Sequence, residues 1–160
     1  MRVVVAAVGR LKAGPERELA ERYRDRAAKS GRTLGINGIE VVEVRESRAR
    51  DTERRILEES IALATVAAEG AATVLLDRQG EHFGSEAFAG RLRSWRDDGR
   101  QTLCFMIGGA DGVSAPLRER SDLILALGAP TWPHQLVRIM LLEQIYRALT
   151  ILSGHPYHRE

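Results

Sequence analysis

Leu127-Gly128-Ala129-Pro130-Thr131-Trp132-Pro133-His134 opens the last third of the chain, and the run from Gln135 to Leu152 behind it is apolar around almost the whole circumference of a helix. A helix apolar on every side is buried on more than one side. This one is therefore expected to be covered by its own domain and by a second copy of the chain. Pro130 and Pro133 bracket the loop, and Pro133 is expected in the first helical turn, where its fixed φ and missing N–H are tolerated. Beyond Leu152 the character reverses. Ser153-Gly154-His155-Pro156-Tyr157-His158-Arg159-Glu160 is too polar for core.

Working back from that segment, apolar runs alternate with helical stripes. Arg2–Val8, Ile39–Arg45, Thr73–Leu76, Thr102–Ile107 and Ser121–Leu127 read as strands bounded by turn residues. Between them, Leu19, Tyr23 and Ala27 mark one helix. Leu57, Ile61, Ala64 and Ala68 mark a second, with that stripe as its buried face. Phe88, Leu92 and Trp95 mark a third, with Ser85 as its cap and Trp95 in the core. Gln79-Gly80 reads as a turn after the short third strand. Alternating strands and helices predict an α/β fold with a mostly parallel sheet and helices on both faces. Residues 1–160 read as one domain.

Composition narrows the classes. The chain has 160 residues, of which 44% are hydrophobic and 29% charged, and its 24 basic and 22 acidic side chains leave a net charge of +2. That balance permits nucleic-acid binding without arguing for it. No stretch approaches the ~20 apolar residues of a membrane span, so a cytoplasmic protein without a membrane partner is expected. The single cysteine, Cys104, lies in an apolar run and offers neither a disulfide nor a thiolate metal site. His155 and His158, three apart on a Pro-containing tail, make a poor zinc signature, and no metal is expected. Gly9 and Gly14 have the spacing of a phosphate loop, but Pro15-Glu16 stands where that loop needs Lys and then Ser or Thr. The dinucleotide fingerprint and the nucleophile elbow are also absent.

In parallel sheets ligands bind beyond the carboxyl ends of strands. Three such ends are unusual: Leu76-Asp77, Gly108-Gly109-Ala110-Asp111-Gly112, and Leu127 to Pro133. The glycine run suits either a tight turn or close approach to a ligand. On the last helix Gln135, Glu143, Arg147 and Thr150 fall in one sector. Glu143 and Arg147, four apart, form either a surface ion pair or a joint ligand contact. Arg138 projects with Leu142, Ile145 and Leu149, so it needs a buried acceptor or a ligand. The charge-rich stretch Arg45–Arg55 is either a solvated loop and helix start or an RNA-facing edge. Tyr157, Arg159 and the two tail histidines suit phosphate contact and base stacking. Residue chemistry alone reaches a ligand pocket beside an RNA-friendly tail. It leaves open a non-catalytic ribosome- or RNA-binding protein and a nucleotide-binding α/β enzyme.

Taken in order, Val8-Gly9-Arg10-Leu11-Lys12, Ile107 to Gly112, Pro133-His134-Gln135-Leu136-Val137-Arg138, Glu143-Gln144-Ile145-Tyr146-Arg147-Ala148 and His155 to Glu160 resemble the ribosomal RNA large subunit methyltransferase H family, a minimal branch of the SPOUT methyltransferases. The resemblance spans essentially the whole chain. It implies one SPOUT domain with a C-terminal trefoil knot, working as a homodimer on 23S rRNA of the ribosome. It further implies S-adenosylmethionine as methyl donor and N3 of a pseudouridine, in the large-subunit loop that meets the small subunit, as acceptor. Donor-binding positions carried over are Leu76, Gly108, Leu127, Gly128, Ala129, Pro130, Thr131 and Trp132. Gly128-Ala129-Pro130 departs from the family, whose members more often carry a Ser-Lys-Met type of stretch there. Catalytic candidates are Glu143, as base or water-positioner, with Arg147, Tyr157 and Arg159 holding the nucleotide.

Overall fold

A computed structural model describes residues 1–158. Along the chain run β1 (Arg2–Val8), α1 (Pro15–Gly31), β2 (Gly38–Val44), α2 (Thr52–Val66), β3 (Ala72–His82), α3 (Ser85–Asp97), β4 (Thr102–Ile107), α4 (Ala115–Arg120), β5 (Leu123–Ala126) and α5 (His134–Leu152). The strands form one sheet in the order β2-β1-β4-β3-β5, and every pairing is parallel. Helices cover both faces, which is why β1 and β4 read as continuous apolar runs rather than alternating ones. Val3, Val5, Ala7, Leu103 and Phe105 pack into one core with residues of α1, α3 and α5. Val4, Ala6, Val8, Cys104 and Met106 pack into the other with Leu63 of α2 and Leu117 of α4.

From Arg138 onward the apolar surface of α5 is covered by its own domain, while Leu136 near its start is 40% exposed. The helix packs against both α1 and α3, and from Arg138 to Thr150 only Met140, Glu143, Gln144 and Arg147 escape full burial. Arg138, 3% exposed, finds acceptors for its two terminal nitrogens, while its Nε is buried without a partner. Its Nη1 donates to Glu43 Oε1 and its Nη2 to the Gly9 carbonyl, both at 2.8 Å.

Several local expectations are corrected. Pro133 is the residue flanking the first turn of α5, not a member of it. Gly84 rather than Ser85 precedes α3 as its cap, leaving Ser85 Oγ to bond Gln144 Oε1 at 3.0 Å. β5 is shorter than Ser121–Leu127 because Asp122 turns aside, its Oδ2 accepting from the N–H and hydroxyl of Thr73. α4 had no apolar periodicity to announce it; Ser114 caps it and Pro116 sits in its first turn. β3 does not stop at Asp77. It leaves register after Leu76 and resumes at Glu81, and both residues pair with Leu125 of β5. A methyl group on Gly80 would stand 2.6 Å from the Ile124 carbonyl, so glycine is needed where the strand swings back.

The buried face of α2 is the reverse of the one its apolar stripe predicts. Leu57 and Ile61 are 51% and 57% exposed, while Glu59, Ser60 and Leu63 are buried. Polar side chains turn inward because two neighbouring loops have backbone N–H groups that need acceptors. Among the described residues no helix is long and apolar enough to cross a membrane.

Candidate active site

Parallel pairing brings all the strand ends to one edge of the sheet, and the register sets Leu76 beside both Ile107 and Leu125. The three segments that leave β3, β4 and β5 at that level enclose a cleft of about 330 Å³. Leu76, Gly108, Leu127, Gly128, Pro130, Thr131 and Trp132 line it; Ala129 does not. His134 and Val137, from the first turn of α5, complete the wall.

The glycine segment after β4 is both things its sequence allowed. It is a tight turn, closed by Gly112 N–H donating to the Gly109 carbonyl at 3.1 Å with φ +91° at Gly112. It is also a cleft wall that tolerates no extra atoms. A methyl group on Gly108 would lie 2.6 Å from Val113 Cγ1, and one on Gly109 would collide with the Glu59 carboxylate.

α2 holds this turn from behind. Arg55 Nε donates to Asp111 Oδ2 at 2.8 Å, and Ser114 N–H donates to Ser60 Oγ at 2.8 Å. The Arg55 hydrogen bond keeps the Asp111 carboxyl below its ordinary pKa. Arg55, Glu59 and Ser60 are the supporting residues that sequence reasoning missed. Their signal was present only as polar residues opposite the apolar stripe of α2, which looked like a solvated face.

The segment after β5 is folded on itself. Trp132 Nε1 donates to the Leu127 carbonyl at 2.9 Å, and Gly128 at φ +93° makes the reversal a conformation that side-chain-bearing residues resist. On the β3 side, Asp77 accepts from the Gln79 N–H and from Arg118 of α4. Its charge is matched before any ligand arrives.

A second polar assembly sits further along α5. Glu143 Oε1 accepts from Arg147 Nε at 3.0 Å, Arg147 Nη2 at 2.5 Å and Tyr157 OH at 3.1 Å, while Oε2 accepts from Gln144 Nε2 at 2.7 Å. The Arg147 guanidinium lies over the Tyr157 ring, 5.1 Å from its centroid, and the Tyr146 ring lies 4.6 Å away on the same residue. The tail is thus docked on α5 through Tyr157. Hydrogen bonding to Glu143 raises the Arg147 pKa, and burial, followed by hydrogen bonding to Tyr23 and the charge of Glu143, pushes the Tyr157 hydroxyl well above its ordinary value. Both groups are proton donors throughout the neutral range.

The structure therefore brings Glu143, Arg147 and Tyr157 together but not the whole predicted sector. Thr150 is buried with its hydroxyl on the Arg147 carbonyl, and Gln135 is exposed a full two turns away. Arg159 lies outside the described residues. Glu143 does not line the cleft. It lies in a neighbouring apolar groove of about 550 Å³, formed with Tyr23, Phe83, Phe88 and Met140, that shares Leu125, Leu127 and Gly128 with the cleft. The segment after β5 is the partition between the two.

Comparison with known proteins finds relatives that match the chain along nearly its whole length. The family model described as "Predicted SPOUT methyltransferase" matches residues 1–158. Proteins called "Ribosomal RNA large subunit methyltransferase H" from Nitrobacter hamburgensis, Nitrobacter winogradskyi and Rhodopseudomonas palustris are 58%, 60% and 57% identical to the chain. Each match covers 99% of this chain and 99% of the relative. At that identity and coverage the chain belongs to the SPOUT methyltransferases, within the ribosomal RNA large subunit methyltransferase H family.

Proposed function

We propose that the protein methylates N3 of a pseudouridine in 23S rRNA of the large ribosomal subunit, acting as a cytoplasmic homodimer on the assembled ribosome, with S-adenosylmethionine in the cleft at the ends of β3, β4 and β5. The observation that carries the reading is the character of that cleft. Leu76, Leu127 and Trp132 offer an apolar slot, and the glycine turn and the Leu127–Trp132 segment offer backbone groups. The donor carries no phosphate, so the missing phosphate loop and dinucleotide fingerprint are no objection. Its sulfonium supplies an already activated methyl group, and the transfer needs no metal.

The chain's own contribution is positioning, which is worth several orders of magnitude when two reactants are held in line. N3 of the base forms the new bond to the methyl carbon, the carbon–sulfur bond breaks to leave a thioether, and the N3 proton goes to water or a carboxylate. We assign that last task to Glu143, as acceptor for the proton or for the water that takes it; its carboxylate beside Arg147 and Tyr157 supports the reading. Arg147 and Tyr157, both held protonated beside it, and Arg159 on the same tail bind the nucleotide or its phosphates.

Glu143 and the donor cleft lie on opposite sides of the Leu127–Gly128 partition, which supports a composite site: one protomer binds the donor and its partner brings the tail. Trp132 and Leu136, 38% and 40% exposed, supply apolar surface for such an approach. The domain that does this is the whole chain, residues 1–160, with the trefoil knot that the family likeness implies.

The reaction is tested by incubating the protein with ribosomes lacking the modification and with S-adenosylmethionine, then mapping 23S rRNA by mass spectrometry. A single added methyl on a pseudouridine is expected. Ribosome binding without methylation or donor binding would instead favour a non-catalytic ribosome-binding protein. The composite site is tested with mixed dimers of Gly108→Trp and Arg159→Ala subunits, each inactive alone. Restored activity on mixing is expected, and none would rule out sharing between protomers.

A further inference from the structure

The proposed reaction leaves one charged region unused. Val8 pairs with Val44, and Ala7 with both Glu43 and Ile107, so β1 and β2 end on the same edge and at the same level as β4. With neighbouring strands about 4.8 Å apart, the ends of β2 and β4 stand about 10 Å from each other. The chain leaving β1 and β2 carries Arg10, Lys12, Arg45, Arg48 and Arg50, all exposed.

These cations are poorly matched by their neighbours. Among the described residues Lys12, Arg45, Arg48 and Arg50 form no ion pair, and Arg10 comes no closer than 3.9 Å to Glu43. Most nearby carboxylates are already engaged. Glu43 holds Arg138, Asp51 caps α2, Glu58 holds Arg54 and the Ser47 hydroxyl, and Asp111 holds Arg55. In the segment after β2 Glu46 and Glu53 are left, fewer than the three cations Arg45, Arg48 and Arg50 beside them.

The segment 45–51 is also fixed in place, which a merely solvated charge run has no need to be. Arg55 Nη1 donates to the Ala49 and Arg50 carbonyls at 3.0 and 2.9 Å, while Nε of the same guanidinium holds Asp111 in the glycine turn. The Ser47 N–H donates to Glu59 Oε1 at 2.9 Å, and that carboxylate abuts Gly109. Two links thus tie the arginine segment to the wall of the cleft.

We propose that Arg45, Arg48 and Arg50, with Arg10 and Lys12 beside them, form a phosphate-binding rim for the RNA strand flanking the target nucleotide, registered to the cleft by Arg55 and Glu59. The rim rests on the rRNA reading above and adds a second RNA contact, separate from the tail. Contacts to phosphates set where a nucleic acid lies without reading its sequence. A rim locked to the glycine turn would fix the distance from flanking backbone to reacting base.

The test compares the wild-type protein with the Arg45→Ala, Arg48→Ala, Arg50→Ala triple variant and with the matching triple Lys variant. Affinity for ribosomal particles is measured across roughly 50 to 200 mM salt, where each phosphate contact adds about 0.7–0.9 to the slope of log affinity against log salt. The alanine variant is expected to lose about 2–3 from that slope. Its affinity at the low-salt end should fall at least about tenfold, while its affinity for S-adenosylmethionine alone stays unchanged. The lysine variant should keep the slope. A wild-type protein that binds the particles with a slope the alanine variant reproduces would overturn the rim and leave the rRNA reading intact. A wild-type protein that neither binds nor methylates the particles would overturn both.

Discussion

Arg138 and Glu43 meet at 2.8 Å although they stand 95 residues apart, one buried on α5 and the other at the end of β2. The same carboxylate oxygen accepts the Leu11 N–H at 2.9 Å, and the guanidinium also takes the Gly9 carbonyl. One pair therefore fastens the helix that leads out of the cleft to the loop between β1 and α1. Arg138→Leu is expected to leave the Gly9 carbonyl and part of Glu43 without partners, at a cost of about 2–3 kcal/mol. Glu43→Gln, which leaves the buried guanidinium without its counter-charge, should cost at least as much. Urea denaturation midpoints at constant slope check the order of the two variants.

Gly108→Ala places a methyl group 2.6 Å from Val113 Cγ1 and 3.2 Å from the Gly112 carbonyl, in the wall of the cleft. A fall of at least about tenfold in affinity for S-adenosylmethionine is expected, equivalent to about 1.4 kcal/mol. Adding Val113→Ala removes the closest clash, so the double variant should recover thermal stability ahead of affinity. Calorimetric titration and thermal unfolding separate the two effects.

Trp132→Phe keeps an aromatic ring but deletes the hydrogen bond to the Leu127 carbonyl. Such a bond is worth about 0.5–1.5 kcal/mol, so donor affinity should drop by a few-fold to about tenfold. Global stability should stay nearly constant, because the residue is 38% exposed. An unfolding midpoint that moved as much as the binding would argue that Trp132 supports the fold rather than the cleft.

Tyr157 has a pKa raised above its ordinary value of 10.0 by burial and by its neighbours Tyr23 and Glu143. The protonated phenol is the form that the fold favours. Its contribution is complete below the ordinary value and is lost as pH rises from there through the raised one. In an absorbance titration Tyr157 should ionise above the ordinary tyrosine value, and Tyr157→Phe should delete that late step. The stability difference between wild type and Tyr157→Phe should be constant in the neutral range and shrink only in strong alkali.

Sequence patterns carried the elements further than the contacts between them. The apolar runs located all five strands, and Asp77, the glycine run after β4 and the Gly/Pro loop after β5 marked the three strand ends that do form a cleft. Arg138 was legible as a buried charge in need of an acceptor, but nothing local pointed to Glu43 as the partner. α2 misled for a physical reason. Leu57 and Ile61 make the stronger periodic signal, yet the inward face is taken by Glu59 and Ser60, whose value lies in the N–H groups of Ser47 and Ser114 that they satisfy. Periodicity weighs apolar area and is blind to the needs of a loop elsewhere in the chain. The continuation of β3 past Gly80 was hidden likewise, because a Gln-Gly pair looks like a turn until a neighbouring strand is there to pair with it.

The swing of β3 away from Leu125 and back to it has a kinetic consequence. The cleft wall at Asp77 and Arg78 is pinned to the sheet at both of its ends, and the glycine turn is pinned to α2 by Arg55 and Ser60. Of the three walls, the segment between Leu127 and Pro133 is the one fastened across itself by a single indole N–H. With the donor bound as proposed, exchange of spent for fresh donor is expected to run through that segment, and Trp132→Phe should shorten the residence time of the bound molecule in a stopped-flow displacement experiment.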